Sequence, residues 1–239
     1  MLSESMQDYL KTIYQISQGT SRVTTNALAE MLGVTAASVT GMLKKLADLK
    51  LVEYEPYQGV VLTLAGQKLA LEVIRHHRLT ELYLTEAMGF SWDRVHDEAE
   101  RLEHAISEEF ADKMSALLGD PQRDPHGSPI PSKDGVVASS SQVTLSGVAI
   151  GHTVRVERVN DEDAELLREL AGIGLLPGAI VKLQSRNSND NSLGITVLAP
   201  HHEESASDAA ANTLAAVDVT PSTHMILNEQ AHNVFVTEL

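Results

Sequence analysis

His96, Glu100, Glu103 and His104 follow one another at offsets of four, three and one. On a continuous helix those offsets put two imidazoles and two carboxylates on one face, and such nitrogen and oxygen donors suit Mn, Fe, Co, Ni or Zn. The stretch also reads as the solvated face of a charged helix, since Asp97, Glu98, Glu108 and Glu109 accompany it. Upstream, His77 and Glu81 repeat an i, i+4 pairing, so two antiparallel neighbours would offer imidazole and carboxylate to each other. Asp8, near the N-terminus, is a third possible donor. His76 points about 100° away from His77 around a helix and is expected at the surface.

The chain has no cysteine, which removes thiolate metal sites and any disulfide framework. Its 239 residues, 43% of them apolar, suffice for one large or two small domains with a real core. Aromatic residues make up only 4%, too few to favour a stacking platform for single strands. The net charge of -15 is unevenly spread: residues 1–80 hold eight Lys/Arg against seven Asp/Glu, and the remaining 159 hold ten against twenty-six. Phosphate contacts therefore belong to the N-terminal third. MLSESMQDYL lacks a basic start followed by an apolar run, and no stretch approaches about 18 apolar residues. No membrane partner and a cytoplasmic location are expected.

Tyr9, Leu10, Ile13, Tyr14 and Ile16 mark an amphipathic helix over residues 4–17, with Ser3 or Ser5 to cap it. Thr24 and Thr25 precede a short helix stopped by Gly33, and Thr35 opens another, so two helices meet at a tight turn. The run LVEYEPYQGVVLTL reads as a hairpin turning at Gln58-Gly59. Helix, helix, turn, helix and hairpin make a winged helix. Helical pattern returns from Thr63, as one long or two short helices and a further one from about Asp93 to Leu118, with apolar surface to spare for a dimer. Residues 119–146 hold four of the eight prolines and read as a linker. Beyond Gly147, short Val-rich strands interrupted by DAELLRELAGIGLLPG predict a small β-barrel. HHEESASDAAANT, residues 201–213, breaks that pattern and reads as a loop insertion. There is no internal repeat.

In a helix-turn-helix the second helix enters the major groove by its N-terminal residues, here Thr35, Ala37, Ser38 and Thr40, with Lys44 and Lys45 in reach of phosphates. These small hydroxyl and methyl groups offer no Arg fork for guanine. Shape and water are expected to contribute much of the sequence preference.

The order of these features is similar to the diphtheria toxin repressor family, including its iron-dependent repressors and manganese transport regulators. The resemblance spans essentially the whole chain and is carried by MQDYLKTIY, ALAEMLGVTAASVTGMLKKLADLKLVEY, IRHHRLTELYL, VHDEAERLEH and GSPIP. It implies an α+β fold with a winged-helix DNA-binding domain at 1–63, a helical metal-binding and dimerisation domain at 64–120, a linker at 121–146 and an SH3-like β-barrel at 147–239. It also implies a primary metal site of Asp8, Glu100, Glu103 and His104. The iron branch has methionine and cysteine at positions 8 and 100, so the two carboxylates here match the manganese branch and imply Mn2+, with Fe2+ second.

A second site, resembling the ancillary site of the iron branch, would use His77, Glu81 and His96, and the resemblance implies completion from the barrel by Glu162, Asp163 or Glu165. Lys11 stands where manganese regulators have glutamate, so a closely spaced two-manganese cluster is not expected. GLLPGAIV resembles the barrel of ferrous-transport accessory proteins. The expected function is a repressor of metal-uptake genes, not an enzyme, that binds a palindromic operator as a metal-loaded homodimer. Two alternatives remain at this level. One is a winged-helix regulator answering to an organic ligand. The other is a carboxylate-bridged metal enzyme, because oxidase bundles also direct carboxylates and imidazoles inward.

Overall fold

The computed structural model describes residues 2–187, 189–200 and 221–239, so the insertion at 201–213 lies outside the described residues. Two compact units emerge: Met1–Tyr83 with Asp97–Gln122 and Ile130–Ala138, and Leu84–His96 with Arg123–Pro129 and Ser139–Leu239.

The N-terminal unit begins with three capped helices. Ser3, Thr24 and Thr35 each accept a hydrogen bond from the backbone N–H three residues on, at 3.3, 3.1 and 3.2 Å, which satisfies a donor the first turn leaves open. They open α1 (Glu4–Ser17), α2 (Thr25–Met31) and α3 (Ala36–Asp48). Between α2 and α3 the chain turns at Gly33, φ 63°. Leu10 and Ile13 of α1, Leu28 of α2, and Val39, Leu43 and Leu46 of α3 form one buried cluster with Val23, Val52 and Val60.

Strands β1 (Val52–Glu55) and β2 (Gly59–Leu62) pair antiparallel to make the wing. Glu55 pairs with Gly59, which leaves Pro56, Tyr57 and Gln58 as the turn, Tyr57 taking the positive φ of 67°. The turn expected at Gln58-Gly59 is thus displaced. Gly59 is needed for close approach: a Cβ there would lie 2.5 Å from the Val23 carbonyl oxygen.

A single helix, α4 (Leu64–Glu86), follows. The continuous helix expected over 93–118 is in fact two, α5 (Val95–Leu102) and α6 (Glu108–Leu117). Ser107 accepts from Phe110 N–H at 3.3 Å and so caps a new helix, with Glu108 and Glu109 in its first turn, where carboxylates favour the positive end of the helix dipole. Ile106 packs against the buried cluster of Leu79, Ala111, Met114 and Ile130, which anchors the break.

The C-terminal unit is built on a five-stranded antiparallel sheet in the order β6-β5-β4-β3-β7, the arrangement of an SH3-like domain. The strands are β3 (Thr153–Val159), β4 (Ala179–Asn187), β5 (Ser192–Pro200), β6 (Ser222–Leu227) and β7 (Val234–Glu238), with α7 (Ala164–Gly172) and α8 (Asn228–His232) between them. Alternation along β3 and β4 buries Val154, Val156, Val181 and Leu183 on one face, against Leu167 and Leu170 of α7. Within the stretch of linker composition, Asp124, His126, Ser128 and Ile130 are buried. Asp124 holds that turn by accepting from the N–H groups of His126 and Ser128, each at 2.9 Å.

Candidate metal centre

Three elements of the N-terminal unit converge on a buried polar cluster. From α1 come Gln7, Asp8 and Lys11, which share a face by three- and four-residue spacing. From α4 come His76, His77 and Glu81. Glu100 projects from α5, while Glu103 and His104 sit in the turn that follows it. Because α5 ends at Leu102, the four residues from His96 to His104 do not share one helical face. The turn swings Glu103 and His104 toward α1.

The cluster has two lobes that share Glu103, one formed with Asp8 and His104 and the other with His77 and Glu100; in each, the donor atoms lie within 4.8 Å of one another. In the first, His104 Nε2 is 2.8 Å from Asp8 Oδ1 and 3.6 Å from Glu103 Oε1. Its Nδ1–H donates to Gln7 Oε1 at 2.6 Å, which turns Nε2 toward the carboxylates, the task a supporting hydrogen bond performs at metal-bound histidines. Burial raises the Asp8 pKa, which His104 opposes and the Glu103 carboxylate reinforces.

In the second lobe the Lys11 ammonium donates to Glu103 Oε2 at 2.8 Å and Oε1 at 2.9 Å, and also pairs with Glu100. His77 Nδ1 lies 2.5 Å from Glu103 Oε2 and its Nε2 3.1 Å from Glu81 Oε1. Burial opposes a charge on that ring, but Glu81 and the hydrogen bonds with Glu103 and Glu81 outweigh it, and the pKa is pushed up to about 10. Burial likewise works against Glu103, which His77 and Lys11 nevertheless hold below the usual carboxylate range.

His76, expected at the surface, is buried: its Nε2 meets Glu108 Oε1 at 2.9 Å. Helix α4 is covered on more than one side, so a 100° offset from His77 leads into α6 and not to solvent. His77 and Glu81 lie in the N-terminal unit, whereas His96 lies in the C-terminal unit with its Nδ1 3.8 Å from Asp161 Oδ2. Of the barrel candidates, Glu162, Asp163 and Glu165 are exposed, and Asp163 is the cap of α7, accepting from Glu165 and Leu166 N–H. The carboxylate beside His96 is Asp161, one residue before the expected set. His126 was also missed. Its Nδ1 is 3.8 Å from the same Asp161 oxygen and its ring stacks on Trp92, yet it sits in a stretch whose prolines signal only a linker.

At the reading helix, Thr35, Ala37, Ser38, Lys44 and Lys45 are exposed and Thr40 is half-buried. The Thr40 hydroxyl donates to the Ala36 carbonyl at 2.9 Å, and the Thr35 and Ser38 hydroxyls meet at 3.0 Å.

An exposed reading helix and wing, in one unit with a buried cluster of carboxylates and imidazoles, define a DNA-binding protein with a metal centre. Residues 1–60 match the family described as iron dependent repressor, N-terminal DNA binding domain; 63–132 match iron dependent repressor, metal binding and dimerisation domain; and 143–202 match the FeoA domain. The chain belongs to this iron-dependent repressor family, the metal-dependent transcriptional repressors of the diphtheria toxin repressor type. It is 28% identical over 215 residues to the iron-dependent repressor IdeR of Mycobacterium leprae, covering 84% of this chain and 91% of that one. A helix-turn-helix-type transcriptional regulator of Methanocaldococcus jannaschii is 35% identical over 118 residues, 49% of this chain and 94% of that one. A solved manganese-dependent transcriptional repressor in complex with manganese superposes with a TM-score of 0.83 at 33% identity, over 98% of this chain and 100% of that one. The family is one of repressors, not enzymes. No described helix is long and apolar enough to cross a membrane.

Proposed function

We propose that this chain is a manganese-responsive repressor that binds a palindromic operator as a homodimer and controls metal-uptake genes. The observation that carries the reading is the meeting of Asp8 from α1 with Glu103 and His104 from the turn after α5, at hydrogen-bond and near-contact distances. Asp8, Glu103 and His104 would hold the ion, with Glu100 at the rim of the cluster. The donors are oxygen and imidazole, a hard set that suits Mn2+ by ligand type, with Fe2+ next. A bound ion supplies two positive charges among carboxylates that otherwise repel.

The residues do the rest. Asp8 ties α1 to the α5–α6 turn, and Leu10 and Ile13 of α1 share a buried core with Val39, Leu43 and Leu46 of the reading helix. The position of α3 is in this way linked to the metal centre. On α6, Phe110 and Leu117 are 50% and 70% exposed and seven residues apart, one apolar stripe suited to a second copy of the chain. Two reading helices on a two-fold axis match two half-sites. Because coupling is reciprocal, DNA favours metal by the factor that metal favours DNA.

The test is operator binding by the chelated protein during separate titrations with manganese, ferrous iron and zinc at fixed salt, since phosphate contacts make affinity salt-dependent. Manganese should activate at low free concentration, although raw affinity rises toward the later metals, and Asp8→Ala should abolish the response. Activation by iron alone moves the assignment to iron, and binding indifferent to every metal refutes the reading.

A further inference from the structure

Glu72 and His76 stand one helical turn apart on α4, and Glu108 meets them from the first turn of α6. One donor atom from each of the three side chains lies within 4.8 Å of the other two. All three residues belong to the N-terminal unit, and none is a member of either lobe around Glu103. His76 is only 5% exposed. Its Nδ1 lies 3.4 Å from the backbone carbonyl of Glu103, which leaves Nε2 turned toward the carboxylates, 2.9 Å from Glu108 Oε1. A carbonyl held on the far nitrogen is how a histidine is oriented for a metal ion.

This cluster has no fixed cation of its own. Among the described residues neither Glu72 nor Glu108 forms an ion pair with a Lys or Arg, and the neighbouring Arg75 and Lys133 meet Asp112 instead, at 4.0 and 2.5 Å. Glu72 and Glu108 are hydrogen-bonded to each other, and burial followed by the Glu108 carboxylate raises the Glu72 pKa. Two carboxylates and a ring nitrogen directed at one point repel unless a positive centre lies among them. Around Glu103 the Lys11 ammonium supplies such a charge; here no side chain of the described residues does.

We propose that Glu72, His76 and Glu108 form a separate cation site of the zinc class, which staples α4 to the start of α6. One imidazole and two carboxylates are donors that zinc accepts at about 2.0–2.2 Å, with water in the remaining position. Glu72 and Glu108 are half-buried, so water reaches the open side while His76 closes the other. Raw affinity for nitrogen and oxygen donors is lowest for manganese among the first-row divalent ions, which makes zinc the better occupant of a site with no built-in preference for a harder ion. A filled site fixes the helix that carries the exposed Phe110 and Leu117.

The experiment counts zinc by equilibrium dialysis on the full chain and on Glu72→Gln and Glu108→Gln, which keep the shape of each side chain and remove its charge. Circular dichroism establishes that each variant is folded, and because the two changes lie on different helices, one remains informative if the other unfolds. At a free zinc concentration that just saturates the parent chain, each variant should hold one ion fewer per chain. Neither residue belongs to the Asp8 lobe, so in zinc-free buffer manganese should act on operator binding at the same midpoint as in the parent. An unchanged zinc count in either folded variant overturns the inference. So does the loss of more than one ion, or a shifted manganese midpoint, since the three residues would then be part of the centre around Glu103. The zinc count stands whether or not manganese proves to be the activating ion.

Discussion

The N-terminal unit buries Lys11, Arg75, His76, His77, Glu81 and Glu103, whereas the sheet of the C-terminal unit closes on Val154, Val156, Val181, Leu183, Leu193 and Ile195. Aliphatic burial contributes about 25 cal/mol per Å2 without regard to direction or to what else is bound. A buried ion is another matter, because each costs several kcal/mol to desolvate and is offset only by well-placed partners. The sheet is therefore stable on its own terms, while the interior of the N-terminal unit depends on how its charges are counted. Sensing requires the second kind of interior.

The strongest way to break that contrast is to remove the carboxylate both lobes share. Glu103→Ala takes from Lys11 and His77 the buried carboxylate they share, and the expected cost is about 3–5 kcal/mol, read by urea unfolding of the chelated protein. A loss below about 1 kcal/mol, the level of an exposed ion pair, would show that the cluster is not energetically buried.

Alkaline pH should separate the units without any mutation. His77 has a folded pKa of about 10 against 6.5 unfolded, so its contribution is complete below about 6.5 and is lost as pH rises through about 10. In the C-terminal unit Glu157 is shifted the other way: burial works against its charge, but Arg123 and the Ser141 N–H hold its pKa down. Its contribution is present above its unfolded value and disappears on acidification. Trp92, the only tryptophan, packs on the core of the C-terminal unit. Between pH 7 and 10 in chelator, thermal unfolding followed by helical circular dichroism should shift downward while that followed by Trp92 fluorescence holds. Equal shifts in both signals would contradict the contrast.

Leu183→Ala tests the sheet in return. It should cost about 3 kcal/mol through lost burial and the cavity left behind, with manganese affinity in equilibrium dialysis unchanged. The smallest effect belongs to Gln7→Leu, which removes the acceptor that orients His104. Manganese affinity should fall on the order of tenfold, as for other residues that orient a ligand, with little change in unfolding of the chelated chain. A large loss of stability there would mean that Gln7 supports the packing and not the ligand.

Much of this was legible in the sequence because local rules and global fold agree. Ser3, Thr24 and Thr35 announce their helices, Val-rich alternation announces the strands, and Asp8, Glu103 and His104 do meet. The parts that were not legible depend on neighbours. Ser107 followed by two glutamates is a readable cap, but the carboxylate periodicity running through it hides the break before α6. His76 looks exposed only if α4 is covered on one side. Asp161 and Glu162 are one residue apart, and the difference between a residue beside His96 and an exposed one is set by where the Asp163 cap starts α7. His126 gives no signal at all, since a lone histidine among prolines has no periodicity to betray its burial.

Helix α1 has no loop between its two tasks. Leu10 and Ile13 are fixed in the core shared with α3, and Asp8 and Lys11, on the same few turns, are fixed in the metal centre. In mechanical terms it is a stiff strut clamped on two faces of the same turns, with no slack joint between them. A displacement at the carboxylates therefore enters the same core that holds the base-reading helix.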